Sequence, residues 1–298
     1  MKKIFKIILF KFLGKAFYAL IKPIYSPPPF LREKLRFLGK FKVKTADGKN
    51  FHLYNNAFLL ETNIYWVGMD QYAWEKMTRK IWTRLCVSSD SIFDIGSNSG
   101  IFATLAKVYN PKAKVVAFEP QPNIFQVLKK NNEINDFDIT CENMALSNEE
   151  GNMPFYNYGP DPFNTGNTTA GSLNKNWRTE DQKSIMVKVK SLNNYVNENN
   201  IQKIDLMKID VETFEYEMLS GYLPVLFLHQ PIILLEIQNR EIGMNIESIF
   251  RNKSYVFYNI DEEKGLERVD ILGFSEINQN YVLCPDAKGY LMQEFIHS

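Results

Sequence analysis

Between residues 91 and 236 the chain alternates short, continuously apolar runs with stretches whose apolar residues recur every three to four positions. The runs at 91–95, 114–118, 137–141, 204–209 and 232–236 have strand length. Segments 101–109, 123–134 and 211–220 have helical spacing, with Ile124, Val127, Leu128 and Ile134 on one side of the second. Strands apolar on both faces are buried on both, so this alternation predicts a mostly parallel, doubly wound α/β sheet covered by helices. Segments 255–258, 271–274 and 281–283 are candidates for antiparallel strands that close it at the C-terminal side. Upstream, residues 41–45 and 51–54 alternate around Asp47-Gly48, which predicts a hairpin. Residues 72–85 have helical spacing, with Trp74, Met77, Ile81, Trp82 and Leu85 toward a core, and these aromatics are read as core rather than as part of a ligand site.

The pattern divides the chain into a basic amphipathic segment (1–29), a small hairpin-helix preface (30–90) and the α/β domain (91–298). In the first segment six lysines (Lys2, Lys3, Lys6, Lys11, Lys15 and Lys22) are interleaved with Ile, Leu, Phe and Tyr, and no acid precedes Glu33. Lys11 and Lys15 interrupt any run of the roughly 20 apolar residues that spanning a bilayer requires. Two readings stand: a helix lying on an anionic membrane face, or one packed on the protein's own surface or a second subunit. Pro27-Pro28-Pro29 is read as ending it in a stiff linker. A further interruption, the Asn-, Gly-, Thr- and Pro-rich residues 156–180, reads as a loop that leaves the strand ends where ligands bind.

Composition narrows the chemistry. Apolar residues are 45% of the 298 and aromatics 14%, ample for a core, and a net charge of +1 gives no field for nucleic acid. Three widely spaced cysteines (Cys86, Cys141 and Cys284) read as reduced thiols of a cytoplasmic protein. With no CxxC or HExxH spacing and three scattered histidines, no metal site is expected, though Asp210 with Glu236 is a conceivable cation pair.

The candidate ligand corner is Asp94-Ile-Gly96-Ser97-Asn98-Ser-Gly100, between the first buried strand and a helix N-terminus. It lacks the second glycine of a dinucleotide fingerprint, and its acid faces a pyrophosphate unfavourably. S-adenosylmethionine carries a cationic sulfonium and an ammonium and no phosphate, so Asp94 suits it. Glu119, followed by Pro120 at the end of the next strand, is placed to accept both ribose hydroxyl hydrogens. Glu142 and Asn143, after the third strand, are candidates for the adenine edge or simply residues of a solvated turn. Lys208-Ile-Asp210-Val-Glu212 ends the fourth strand, where a carboxylate can take the proton of an attacking hydroxyl. Asp210 is the first choice for that base and Glu212 the second; the alternative has Glu212 capping the next helix and Asp210 binding the cofactor. Glu236 ends the fifth strand and faces the same cleft.

Residues 91–238 resemble the FkbM family of S-adenosylmethionine-dependent methyltransferases. The resemblance lies in Phe93-Asp-Ile-Gly-Ser-Asn-Ser-Gly100, Ala117-Phe-Glu-Pro120, the asparagines 131, 132 and 135, Ala145-Leu-Ser147, Lys208-Ile-Asp-Val-Glu212 and Leu234-Leu-Glu-Ile237. It implies a Rossmann-like class I methyltransferase fold and O-methylation, commonly of sugar or polyketide hydroxyls. Ser97 stands where the family usually has alanine, Thr213 where it has glycine and Asn193 where it often has aspartate. With the lysine-rich N-terminus, the resemblance leads to an expected methyltransferase acting on a sugar hydroxyl of a surface glycan or its lipid-linked precursor, at the inner membrane face. A catalytically silent, S-adenosylmethionine-binding partner in glycan assembly is the alternative.

Overall fold

The computed structural model describes residues 16–157, 170–178 and 182–296. The lysines before residue 16 and the centre of the 156–180 segment therefore lie outside the described residues. Residues 16–21 are helical, and Pro29, the last of the three prolines, starts a short turn, α1 (Pro29–Arg32), at the position where its missing N–H costs nothing. The hairpin forms as β1 (Leu38–Lys44) and β2 (Asn50–Asn56), with Phe41 opposite Leu53 and Val43 opposite Phe51. Helices α2 (Leu59–Val67) and α3 (Lys76–Cys86) follow. The second begins four residues later than the spacing suggested, because Glu75 adopts a left-handed φ of 43°, which a helix cannot continue through.

The alternating region then runs β3 (Ser91–Ile95), α4 (Ile101–Tyr109), β4 (Lys114–Phe118), α5 (Pro122–Glu133) and β5 (Thr140–Glu142). A second sheet follows, made of β6 (Ala145–Ser147), β7 (Gly151–Asn157), β8 (Gly171–Ser172) and β9 (Lys183–Ser191), in the order β6-β9-β7-β8. The chain returns to the main sheet through α6 (Leu192–Glu198), β10 (Leu206–Ile209), α7 (Glu215–Ser220), α8 (Leu223–His229), β11 (Ile232–Glu236) and α9 (Arg240–Phe250). It finishes with β12 (Tyr255–Asp261), β13 (Gly265–Val269), β14 (Asn280–Pro285) and a 3-10 stretch at Asp286–Phe295.

The main sheet has the order β13-β12-β14-β11-β10-β3-β4-β5. The five strands from β11 to β5 are parallel, and β14 runs antiparallel to both β11 and β12. This is the doubly wound, mostly parallel architecture expected from the apolar runs. Two details differ. Residues 271–274 form no strand, and the outer edge is instead Gly265–Val269, paired with β12 through a tight turn. The expected loop at 156–180 is flanked by strands that the apolar pattern did not predict: β7 and β9 pair over seven positions, from Gly151 opposite Val189 to Asn157 opposite Lys183. Their inner residues Phe155, Val187 and Val189 make a small core of their own with Ala145 and Leu173.

Successive residues of the main strands serve opposite faces. Ile92, Val115, Leu206 and Ile232 join one cluster, while Phe93, Val116, Met207 and Ile233 join the other. The first cluster also takes in Phe37, Phe41, Leu53 and Trp82, so the preface packs on one face of the sheet. Tyr18 is buried there too, against Phe37 and Trp66, while Phe17, Leu20 and Ile24 stay exposed. From β3 the chain winds outward to β4 and β5, and from β10 outward to β11. The crevice beyond the ends of β3 and β10 is thus the switch point where open α/β sheets bind ligands.

Candidate active site

The turn after β3 is shaped by what fits against β10. Gly96 has a φ of 78°, and a Cβ there would lie 1.8 Å from the Asp210 carbonyl oxygen. Asn98 is also left-handed, at 53°, and its N–H donates to Glu119 Oε2 at 2.9 Å. Gln121 N–H donates to the other oxygen, Oε1, at 2.8 Å. Two backbone donors hold the Glu119 carboxylate at the end of β4, leaving lone pairs on both oxygens for a ligand. Burial pushes the Glu119 carboxyl up to about 8, against those donors. Asp94 is buried beneath the turn and accepts from Ala103 N–H in the first turn of α4 at 2.9 Å. It therefore both caps that helix and places an acid at the cavity floor. Burial lifts its carboxyl to about 6, with the Lys208 charge pulling the other way.

A cavity of about 630 Å³ extends from this corner. Beside Asp94, its partner in the β3–β10 register, Lys208 Nζ lies 2.7 Å from Asp210 Oδ2 and 4.5 Å above the Phe102 ring. Burial works against the Lys208 charge, but Asp210 and Glu75 hold it above the ordinary lysine range. Gln238 Nε2 donates to Glu212 Oε2 at 2.8 Å and to Glu236 Oε2 at 2.9 Å, bridging the ends of β10 and β11. Burial and the nearby Asp210 push Glu212 up to about 7. Glu75, carried in from the preface, is likewise raised to about 7 by burial, with Lys208 opposing.

The turn linking β10 to α7 is unusual. Glu212 and Thr213 both have positive φ, 54° and 71°. Glu215 Oε1 accepts from Val211 N–H and Thr213 N–H, so Glu215 rather than Glu212 caps this turn. Thr213 keeps the backbone shape that a glycine adopts freely, at a cost for a β-branched residue. Its hydroxyl accepts from Asn174 Nδ2 at 2.9 Å, which ties the described end of the 156–180 segment to the cavity wall. Gly171, Leu173 and Arg178 of that segment line the cavity.

The structure brings Asp94, Gly96, Ser97, Asn98, Glu119, Pro120, Lys208, Asp210, Glu212 and Glu236 to one cavity. Gly100 is not in its wall; it lets α4 pack on Leu128, whose Cδ1 would lie 2.3 Å from a Cβ. Glu142 and Asn143 also lie outside the wall: Glu142 accepts from the Tyr195 hydroxyl, and Asn143 Nδ2 donates to the Glu119 and Pro120 carbonyls. They buttress the corner from behind, and Met144, Ala145 and Leu146 face the cavity instead. Asn193 is absent from the wall as well. Arg36, Glu61, Tyr72, Trp74 and Glu75 of the preface also line it, and Tyr72 and Trp74 pack at the same time against the core cluster, as their spacing predicted. The left-handed residue at 75, which halts the helix, turns this stretch toward the cavity, and helical periodicity has no signal for that.

Seven carboxylates line the cavity (Glu61, Glu75, Asp94, Glu119, Asp210, Glu212 and Glu236) against Arg36, Arg178 and Lys208. That wall fits a cationic sulfonium ligand with a ribose for Glu119, and it repels a pyrophosphate. Among the described residues no group of three or more His, Cys, Asp or Glu side chains is placed to hold a metal ion.

The chain is similar to known methyltransferases. A family described as Methyltransferase FkbM domain matches residues 94–257. The methyltransferase sdnD of Sordaria araneosa is 30% identical over 160 residues, 45% of this chain and 61% of that protein. The hexuronic acid methyltransferase AglP of Haloferax volcanii is 30% identical over 132 residues, 44% of this chain and 49% of that protein. The 31-O-demethyl-FK506 methyltransferase FkbM of Streptomyces tacrolimicus is 31% identical over 154 residues, 44% of this chain and 59% of its own. The match thus spans about half to three fifths of these curated relatives. A solved FkbM methyltransferase from Methylobacillus flagellatus KT aligns with 65% of this chain and 43% of its own at a TM-score of 0.43 and 12% identity. The matched residues include the corner at Asp94–Gly100, Glu119 and the 208–212 turn, whose geometry suits the S-adenosylmethionine that this family uses as methyl donor, and the chain belongs to the FkbM methyltransferase family.

Proposed function

We propose that the chain methylates a hydroxyl group of a sugar, with Glu212 as the base. The observation that carries the reading is the pair of acids at the end of β10 facing the same cavity as the ribose-ready Glu119. Bound S-adenosylmethionine supplies an electrophilic methyl group. Glu119 accepts hydrogen bonds from the ribose hydroxyls, and Gly96 to Asn98 let the backbone approach closely. Asp94 and Asp210 give the cavity floor the negative charge that suits a sulfonium. Asp210 is committed to Lys208 at 2.7 Å, which leaves it poorly placed to take a proton. Glu212 is raised to about 7 and held by the neutral Gln238, properties that suit a general base near neutral pH. Glu212 takes the proton that the acceptor hydroxyl sheds as it attacks.

A sugar acceptor is supported by Tyr72 and Trp74, aromatic surfaces for a pyranose ring, beside carboxylates that accept from hydroxyls. The hexuronic acid methyltransferase among the relatives points the same way. In this reading residues 91–298 carry the transfer, residues 72–75 of the preface wall the acceptor side, and residues 1–29 meet the membrane where lipid-linked glycans are assembled. Phe17, Leu20, Ile24 and Phe30 are exposed along that edge, and no described helix is long and apolar enough to cross a bilayer. A catalytically silent role, motivated by Thr213 and Asn193, loses support because Asn193 lies outside the wall and Thr213 keeps a glycine-like backbone.

Methyl-labelled S-adenosylmethionine, incubated with the full chain and cell-envelope glycan fractions, should give alkali-stable labelled sugar. Label confined to protein or small metabolites would defeat the substrate assignment. Deleting residues 1–26 should move the protein out of the membrane fraction; unchanged partitioning would remove the membrane role.

A further inference from the structure

The first turn of α2 brings to the cavity a carboxylate that the proposed transfer does not use. Glu61 is 1% exposed, the third residue of its helix, and it lines the cavity alongside Asn98 and Ser99. Neither of its oxygens has a hydrogen-bond partner. Burial raises its carboxyl to about 7, and the nearby Ser99 hydroxyl favours the charged form without completing a bond. Glu119 is engaged by two N–H groups, Asp94 by Ala103 and one oxygen of Glu215 by the 211–213 turn; one oxygen of Glu75 and the other of Glu215 also lack a partner, but among these acids only Glu61 has both oxygens buried and unpartnered. A buried carboxyl with both oxygens unpartnered is costly, and position near a helix N-terminus offsets only part of that cost. A ligand with several N–H donors would offset the rest.

The proposed methyl donor has such a group. Its nucleoside is served by Glu119 and its sulfonium by the acids below the turn, which leaves the α-amino-acid tail. We propose that Glu61 binds the α-ammonium of that tail, so that a helix outside the family-matched residues 94–257 completes the cofactor site. Arg36, half-buried and held by the Glu33 and Ala57 carbonyls, lines the same cavity and offers a cation for the tail's carboxylate. The inference rests on the S-adenosylmethionine reading above.

Calorimetry with the full chain separates the two. S-adenosylhomocysteine carries the tail, and 5′-methylthioadenosine is the same nucleoside thioether without it. Glu61→Gln should weaken S-adenosylhomocysteine at least about tenfold, the scale of a lost charge-assisted hydrogen bond, and leave 5′-methylthioadenosine within about twofold. Equal weakening of both ligands, or of neither, would overturn the assignment. Should Glu61→Gln not fold, the wild-type chain alone decides the matter: S-adenosylhomocysteine lacking its α-amino group should bind about tenfold more weakly than the parent, and equal binding refutes the contact. A wild-type chain that binds none of these ligands refutes the cofactor reading itself.

Discussion

On the side of the cavity proposed above for the nucleoside, the acid is held by backbone. Glu119 sits between the N–H groups of Asn98 and Gln121, at the junctions of regular strands and helices. On the side proposed above for the acceptor, the acids are held by side chains on irregular backbone. Glu212 leans on Gln238 from a turn with two consecutive positive φ values, Glu75 comes from a left-handed residue, and Thr213 is tied to Asn174 across the sequence. Backbone donors are present whatever the side chains are, so the first end is set by strand order and turn geometry. Side-chain donors change with every substitution, so the second end can be rebuilt for a new acceptor without disturbing the sheet.

The largest effect that would sharpen this contrast is expected at Glu212. Replacing it with Gln should lower kcat by roughly 10²–10⁴-fold, the usual range for a general base, with S-adenosylhomocysteine affinity nearly unchanged. The base must be ionised to act, so in the parent chain log kcat should fall by about one per pH unit below about 7. A flat profile would break the assignment. Next, Glu119→Gln places an amide N–H against one of two backbone donors, an unsatisfied contact worth about 1–3 kcal/mol. Calorimetry should show roughly 10–100-fold weaker cofactor binding, and an unchanged affinity would remove Glu119 from the ribose role.

Thr213→Gly should be close to neutral for stability. Relieving a left-handed residue gains about 1–2 kcal/mol, and losing the Asn174 bond costs about 0.5–1.5. The expected change is faster proteolytic cleavage near residues 170–178 with a small change in Tm; a fall of several degrees would show that Thr213 has a further role. Smallest of all, Asn193→Asp should leave kcat, KM and cofactor affinity within about twofold, since the side chain does not reach the cavity. A larger change would mean that α6 communicates with the acceptor end.

The same contrast governs how much could be read from residues alone. β3, α4, β4 and β11 fall where the apolar runs place them, and Glu119 emerges at the end of its strand as expected. Buried parallel strands are uniformly apolar and bounded by turn residues, so local pattern is sufficient. The small second sheet was not assigned from the sequence because β7 and β9 are half-exposed, polar on their outer faces and separated by the 158–182 segment. Their pairing is a long-range choice that a window of ten residues does not contain. Glu61, Glu75 and the cavity-facing side of the core-packed Tyr72 and Trp74 escaped for a related reason: an aromatic or acid that faces a cavity has the same sequence signature as one facing a core or solvent.

By itself, the sequence determined the strand-turn-helix corner, the acid that excludes a pyrophosphate and the order of the parallel elements, because these follow from local sterics, periodicity and charge. Only the tertiary structure decided which carboxylates share one cavity. It set Asp210 against Lys208, left Glu212 on a neutral amide, put Glu142 and Asn143 behind the wall and brought Glu61 and Glu75 through it. Those roles depend on distances between residues far apart in the chain and on the burial that shifts their protonation, and neither quantity exists until the sheet and its preface have packed together.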